Sequence, residues 1–183
     1  MDSKELWEEF ELDYATLLLY LKQKYGMVAG SYFTNETCKY VDKNLSRANE
    51  GIFIHHDKEW NPDHIECRSL CAPEEALKYS FDYQQPYNLT YCNMLEHLLI
   101  HIKIYELRLQ AVGYAFIDGV EQFMIPQIND IYNTYYFSKI KWLQATKDSI
   151  QDNYKDYQQL LKYYSSLCRA PVKYLNSLTN RKR

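Results

Sequence analysis

Apolar residues recur at helical spacing over most of this chain. Leu6, Phe10, Tyr14, Leu17, Leu18 and Leu21 fall on one face of a segment that opens with Asp2 and Glu5 in a capping-box arrangement and stops at Gly26. The pattern predicts one amphipathic helix over residues 3–25. Residues 27–49 are mixed and polar, with turn residues at Gly30 and Asn35 and room for one short helix near 36–44.

The period then changes. Gly51-Ile52-Phe53-Ile54-His55-His56 is a β-branched and aromatic run that reads as a strand with two histidines at its C-terminal end. A long connection through Asn61-Pro62-Asp63 follows, with a helical turn expected at Pro73-Glu74-Glu75-Ala76-Leu77, where proline suits a first-turn position. Leu89-Thr90-Tyr91-Cys92 predicts a second strand, and Asn93 with Glu96 supplies the capping box of a helix from about 94 to 109. Beyond Gly113 the pattern is helical, interrupted by Pro126 and Pro171, with Tyr154, Tyr157, Leu160, Leu161, Tyr164 and Leu167 at helical spacing. The fold class expected is α+β, divided into an N-terminal helical region (1–46), a strand–strand–helix core (47–110) and a C-terminal helical region (111–183).

Composition bounds the answer without choosing it. At 183 residues with 46% hydrophobic and 25% charged positions, the chain suits one folded domain with extensions. No apolar run reaches the roughly 18 to 20 residues that span a bilayer, and the N-terminus carries Asp2, Glu5, Glu8 and Glu9 where a signal peptide is basic, so a cytoplasmic location is expected. Five cysteines without regular spacing (Cys38, Cys67, Cys71, Cys92, Cys168) fit reduced thiols, and Cys67 with Cys71 lacks the second pair that a structural zinc knuckle requires. The net charge of −3 excludes a uniformly basic surface. Charge is nevertheless uneven: residues 1–13 carry six acids and one lysine, whereas 151–183 carry seven bases and two acids and end in Arg181-Lys182-Arg183, a tail that can follow a polyanion. Most of the 19 tyrosines sit at helical spacing and read as core or interface residues.

Chemistry concentrates in the histidines. There are five, and four fall in two clusters, His55-His56 and His97…His101. Four residues turn a helix by only about 40° beyond a full turn, so His97 and His101 project from one side and can grip one metal ion. Both lie away from the centre of the Leu95, Leu98, Leu99, Ile102, Leu109 stripe, and Ile100 and Ile104 add apolar surface elsewhere, so a helix buried on more than one side is expected to shelter them. Adjacent histidines in a strand point to opposite faces, which allows one to complete a three-histidine site and the other to take a proton from water. Arg108 shares the angular sector of His97 and His101, and Arg47 precedes the first strand; each is a candidate phosphate contact.

The string Asn88-Leu-Thr-Tyr-Cys-Asn-Met-Leu-Glu-His97-Leu-Leu-Ile-His101, preceded by His55-His56, resembles the HNH or ββα-metal nucleases, in particular the colicin-like branch, over roughly residues 47–105. The resemblance implies a ββα-metal (His-Me finger) hairpin and helix embedded among flanking helices. It further implies that His55, His97 and His101 bind one divalent ion (Zn, Mg, Mn or Ni), that His56 is the general base, and that Asn88 holds the loop and orients the catalytic imidazole. The activity implied is endonucleolytic hydrolysis of phosphodiester bonds, DNA before RNA, leaving 5′-phosphate and 3′-hydroxyl ends. The partner expected is therefore nucleic acid and no membrane, with a homo-oligomer or protein partner left open for the C-terminal helices. The alternative from the residues alone is a non-catalytic module that uses the same histidines as a structural metal site and binds a protein or nucleic-acid partner through its Tyr-rich helices.

Overall fold

The computed structural model describes residues 2–61, 69–113, 119–133 and 140–180. The Pro62-Asp63 part of the expected turn, Cys67 and the terminal Arg181-Lys182-Arg183 lie outside the described residues. The architecture is α+β, mostly helical, with one two-stranded antiparallel sheet. No described helix is long and apolar enough to cross a membrane.

The sheet pairs β1 (Ile52–His56) with β2 (Leu89–Asn93), with His55 opposite Thr90 and His56 opposite Leu89. Alternation splits its two faces. Ile52, Leu89 and Tyr91, with Ile54 beside them, pack on Val28 and Leu45 in a small core. Phe53 and Cys92 face the main core instead. From β2 the chain enters α4 (Met94–Val112) through the expected capping box: Asn93 Oδ1 accepts from the Leu95 and Glu96 amides, and Glu96 Oε2 accepts from the Asn93 amide at 2.6 Å. Gly113 closes α4 at φ 75°, a conformation that glycine adopts without penalty. Leu95, Leu98, Leu99, Ile100, Ile102 and Ile104 are fully buried, so α4 is enclosed on more than one side, as expected.

Around α4 pack α1 (Ser3–Phe10), α2 (Tyr14–Tyr25), α5 (Ile125–Asn133), α6 (Lys141–Ile150), α7 (Tyr154–Cys168) and α8 (Val172–Ser177). The single N-terminal helix expected over 3–25 is two helices. Asp13 accepts from the Thr16 amide and hydroxyl and caps a new helix, which ends the one before it. The Asp2–Glu5 box is incomplete too: Asp2 caps Lys4, while Glu5 turns to Lys24 and Tyr20. No helix forms at 36–44; a Phe33–Val41 bridge and a 3-10 turn at Lys43–Leu45 occupy that stretch. The one-turn helix at Pro73–Ala76, here α3, is present as expected. A π-helical turn at Val120–Met124 leads into α5, so Pro126 sits in a first turn, and Pro171 caps α8. Tyr157, Leu160, Leu161 and Tyr164 form the buried stripe of α7.

Candidate metal centre

Register and helical phase bring three imidazoles together. His55 leaves β1 on the α4 side and is buried, while His97 and His101, one turn apart on α4, are slightly less so. One ring nitrogen from each of the three lies within 4.8 Å of the other two. The His97 and His101 Nε2 atoms are 3.3 Å apart. Around an ion with bonds of about 2.0–2.1 Å, tetrahedral ligand atoms sit roughly 3.3–3.4 Å apart, so this pair already has the spacing of two ligands. Burial, reinforced for His55 and His97 by the neighbouring imidazoles, pushes all three rings toward the neutral form, His101 to about 4. A neutral ring keeps the lone pair that a cation needs.

The side chains around the cluster fix which atoms face it. The Tyr14 hydroxyl donates to the Asp57 carbonyl oxygen at 2.8 Å, so at His55 Nε2, 3.2 Å away, its oxygen can only accept. His55 is thereby the Nε2–H tautomer, and its lone pair is on Nδ1, a buried atom with no hydrogen-bond partner. Asp57 accepts from Lys22 and from Thr90 Oγ1, which ties α2 to the end of the hairpin. Glu59, in the 3-10 turn Asp57–Glu59 that follows β1, places Oε2 at 3.7 Å from both His55 Nδ1 and His101 Nε2. The donor set fits a divalent cation: three imidazoles held toward the neutral form, with ligand atoms within 4.8 Å of one another, and a carboxylate 3.7 Å from two of them.

His56 points the other way. It is 1% exposed, its ring meets Tyr32 edge-on at 4.6 Å, and Nε2 lies 2.9 Å from Gln84 Oε1. The Gln84 amide nitrogen donates to the Leu70 carbonyl, so Oε1 is left to accept from His56 Nε2–H. Burial lowers the His56 pKa to about 4, against the opposing effect of Gln84. A charge on His56 would be felt by His55 and His97, which places it near the cluster although on the opposite face.

The other expected site residues have different occupations. Asn88 is buried just before β2 and donates from Nδ2 to the Asp82 carbonyl at 2.8 Å; the group bonded to the His56 ring is Gln84. Arg47 gives its donors to Glu50 and to the Tyr25 carbonyl and stacks over Tyr91, so it fastens α2 to the start of the hairpin, at the far end of β1 from the histidines. Arg108 is 3% exposed inside the packing of α4, where a nucleic-acid backbone does not reach it. Tyr14, Glu59 and Gln84 were missed by sequence reasoning. Each comes from a different segment, and none has a motif spacing that announces it.

No protein-family description, no curated protein and no solved structure matches this chain.

Proposed function

We propose that this chain is a metal-dependent endonuclease of the HNH type, with β1, β2 and α4 as a ββα-metal core and His55, His97 and His101 as ligands of one divalent ion. The observation that carries the reading is the convergence of these three imidazoles from a hairpin and the helix that follows it. A bound divalent cation would supply positive charge to the phosphate and to the departing sugar oxygen. The chain's own groups do the rest. Tyr14 holds the His55 tautomer, and Gln84 holds Nε2–H of His56. The His56 lone pair is then on Nδ1, and a neutral imidazole there takes the proton of the attacking water. DNA is the substrate proposed before RNA.

The test is nicking of supercoiled plasmid by the purified chain with Mg²⁺, Mn²⁺, Ni²⁺ or Zn²⁺, beside His56→Ala and His97→Ala. Cleavage that is lost in both variants, with metal uptake retained by His56→Ala, supports the reading. Absence of cleavage of plasmid and of single-stranded DNA with every metal rejects it.

A second reading is favoured by one observation, the near-complete burial of His56 against Tyr32 and Gln84. A base must meet water, whereas a metal-stabilised interaction module requires nothing of this ring. Under that reading the wild type binds metal and gains stability from it without cutting any substrate.

A further inference from the structure

We propose that Tyr14 is a positioning residue of this centre: its hydroxyl presets His55 to meet the ion through Nδ1, while His97 and His101 meet it through Nε2. The inference rests on the metal-binding reading above and assigns the ligand atoms and the side chain that selects them.

His55 has two ring nitrogens, and only one is open to an ion. Nε2 is covered by the Tyr14 hydroxyl at 3.2 Å. That hydroxyl has one proton, and the Asp57 carbonyl oxygen, which can only accept, takes it at 2.8 Å. Nε2 of His55 therefore carries the ring proton, and the lone pair is on Nδ1, a buried atom without a hydrogen-bond partner. Nδ1 also lies on the side of the other two rings. It and Nε2 of His101 are each 3.7 Å from the same Glu59 oxygen, and Nε2 of His101 is 3.3 Å from Nε2 of His97.

Of the three rings, His55 is the one committed in advance. His97 and His101 share one hydrogen bond between their Nε2 atoms, so one of them carries its proton there and must move it to Nδ1 before both can ligate. Tyr14 is held for this task by helix phase. It is the first residue of α2, capped by Asp13, and about two turns later the same helix presents Lys22 to the Asp57 carboxylate. That carboxylate also accepts from Thr90 Oγ1 of β2, so backbone and side chain of Asp57 are gripped together and the turn after β1 is held against α2. Three imidazole ligands leave a fourth position open, as a centre that must admit a phosphate oxygen requires.

The test is ¹⁵N NMR of the histidine rings of the full chain, with calorimetric Zn²⁺ titration, for wild type, Tyr14→Phe and Tyr20→Phe. Tyr14→Phe keeps the aromatic ring and removes the hydroxyl. Tyr20→Phe removes a hydroxyl of the same helix that bonds Glu5 instead. In the metal-free wild type His55 should be the Nε2–H tautomer, and zinc should shift its Nδ1 together with Nε2 of His97 and of His101. Tyr14→Phe should bind Zn²⁺ roughly 10–100-fold more weakly, with His55 a mixture of tautomers, whereas Tyr20→Phe should match the wild type in both respects. The wild-type spectra decide the ligand atoms without any variant having to fold. Zinc on Nε2 of His55, or a Tyr14→Phe protein with wild-type affinity and ring signals, overturns the assignment and leaves the three-histidine site standing. If the wild type takes up no metal, the metal-binding reading itself falls, and this assignment with it.

Discussion

His97 and His101 face each other through their Nε2 atoms at 3.3 Å, one helical turn apart, with His55 closing the third side of the triangle. Three rings kept neutral by burial share one hydrogen bond, between His97 and His101, whereas an ion would engage a lone pair from each of the three. An ion that binds the folded chain alone stabilises it by mass action, by about 2.7 kcal/mol at a hundredfold excess over its dissociation constant. For a chain of this size that is on the order of 5–10 °C in melting temperature. Thermal unfolding with Zn²⁺ should show such a rise, EDTA should reverse it, and His101→Ala should not respond. Superimposable melts with and without metal would remove the centre.

The parts of the site that were legible in the sequence are those set by local periodicity. Strand alternation put His55 and His56 on opposite faces, i to i+4 spacing put His97 above His101, and Asn93 with Glu96 marked the first turn of α4. What was not legible depends on tertiary contacts. Gln84 reaches His56 from a 3-10 turn 28 residues further along, and Tyr14 reaches His55 across 41 residues. Glu59 is four residues from His55, a spacing that carries meaning on a helix, yet the chain there is strand followed by a 3-10 turn. The break between α1 and α2 was concealed because Phe10, Tyr14 and Leu17 keep a helical rhythm across it; the side chain of Asp13, not the apolar pattern, decides where the second helix starts.

Gln84 is the side chain that selects the tautomer of His56, and Gln84→Leu separates that role from metal binding. The variant leaves a buried imidazole N–H without its acceptor, at a cost of about 1–3 kcal/mol. Under the nuclease reading kcat should fall by roughly tenfold or more while KM and the metal-induced rise in melting temperature persist. Unchanged turnover would show that orientation of His56 does not matter to cleavage.

Gly51 ties the hairpin to α6. Its φ of 75° is a left-handed conformation, and a Cβ added there would lie 2.7 Å from the Ala145 carbonyl oxygen and 2.9 Å from Ser149 Oγ. The first contact is with helix backbone, which cannot rotate aside. Gly51→Ala therefore combines left-handed strain with a steric clash, and about 2–4 kcal/mol of destabilisation is expected in urea unfolding. Gly113→Ala serves as the comparison. It has the same left-handed φ of 75° with nothing within 4 Å of the added carbon, so it should cost only the conformational part. Equal losses at the two positions would contradict the steric argument.

Glu9 gives the fold a pH dependence of its own. Lys24 donates to Glu9, Glu96 and Glu5 at 2.8, 2.6 and 2.9 Å, so one ammonium faces three carboxylates, and Glu9 Oε2 is left buried without a partner. Burial first, and then the nearby Glu96 charge, push the Glu9 pKa up from 4.5 to about 7. Between these values the folded chain retains a proton that the unfolded chain has released, so folding stability declines as pH rises from about 4.5 to about 7 and stays lower above that range. Glu9→Gln keeps an oxygen for Lys24 and removes the ionisation, so the variant should be the more stable form at pH 8, by about 1–3 kcal/mol. The two chains should converge near pH 5. Urea unfolding of both proteins across that range checks the sign, and parallel curves would mean that Glu9 ionises in the folded chain as readily as in the unfolded one.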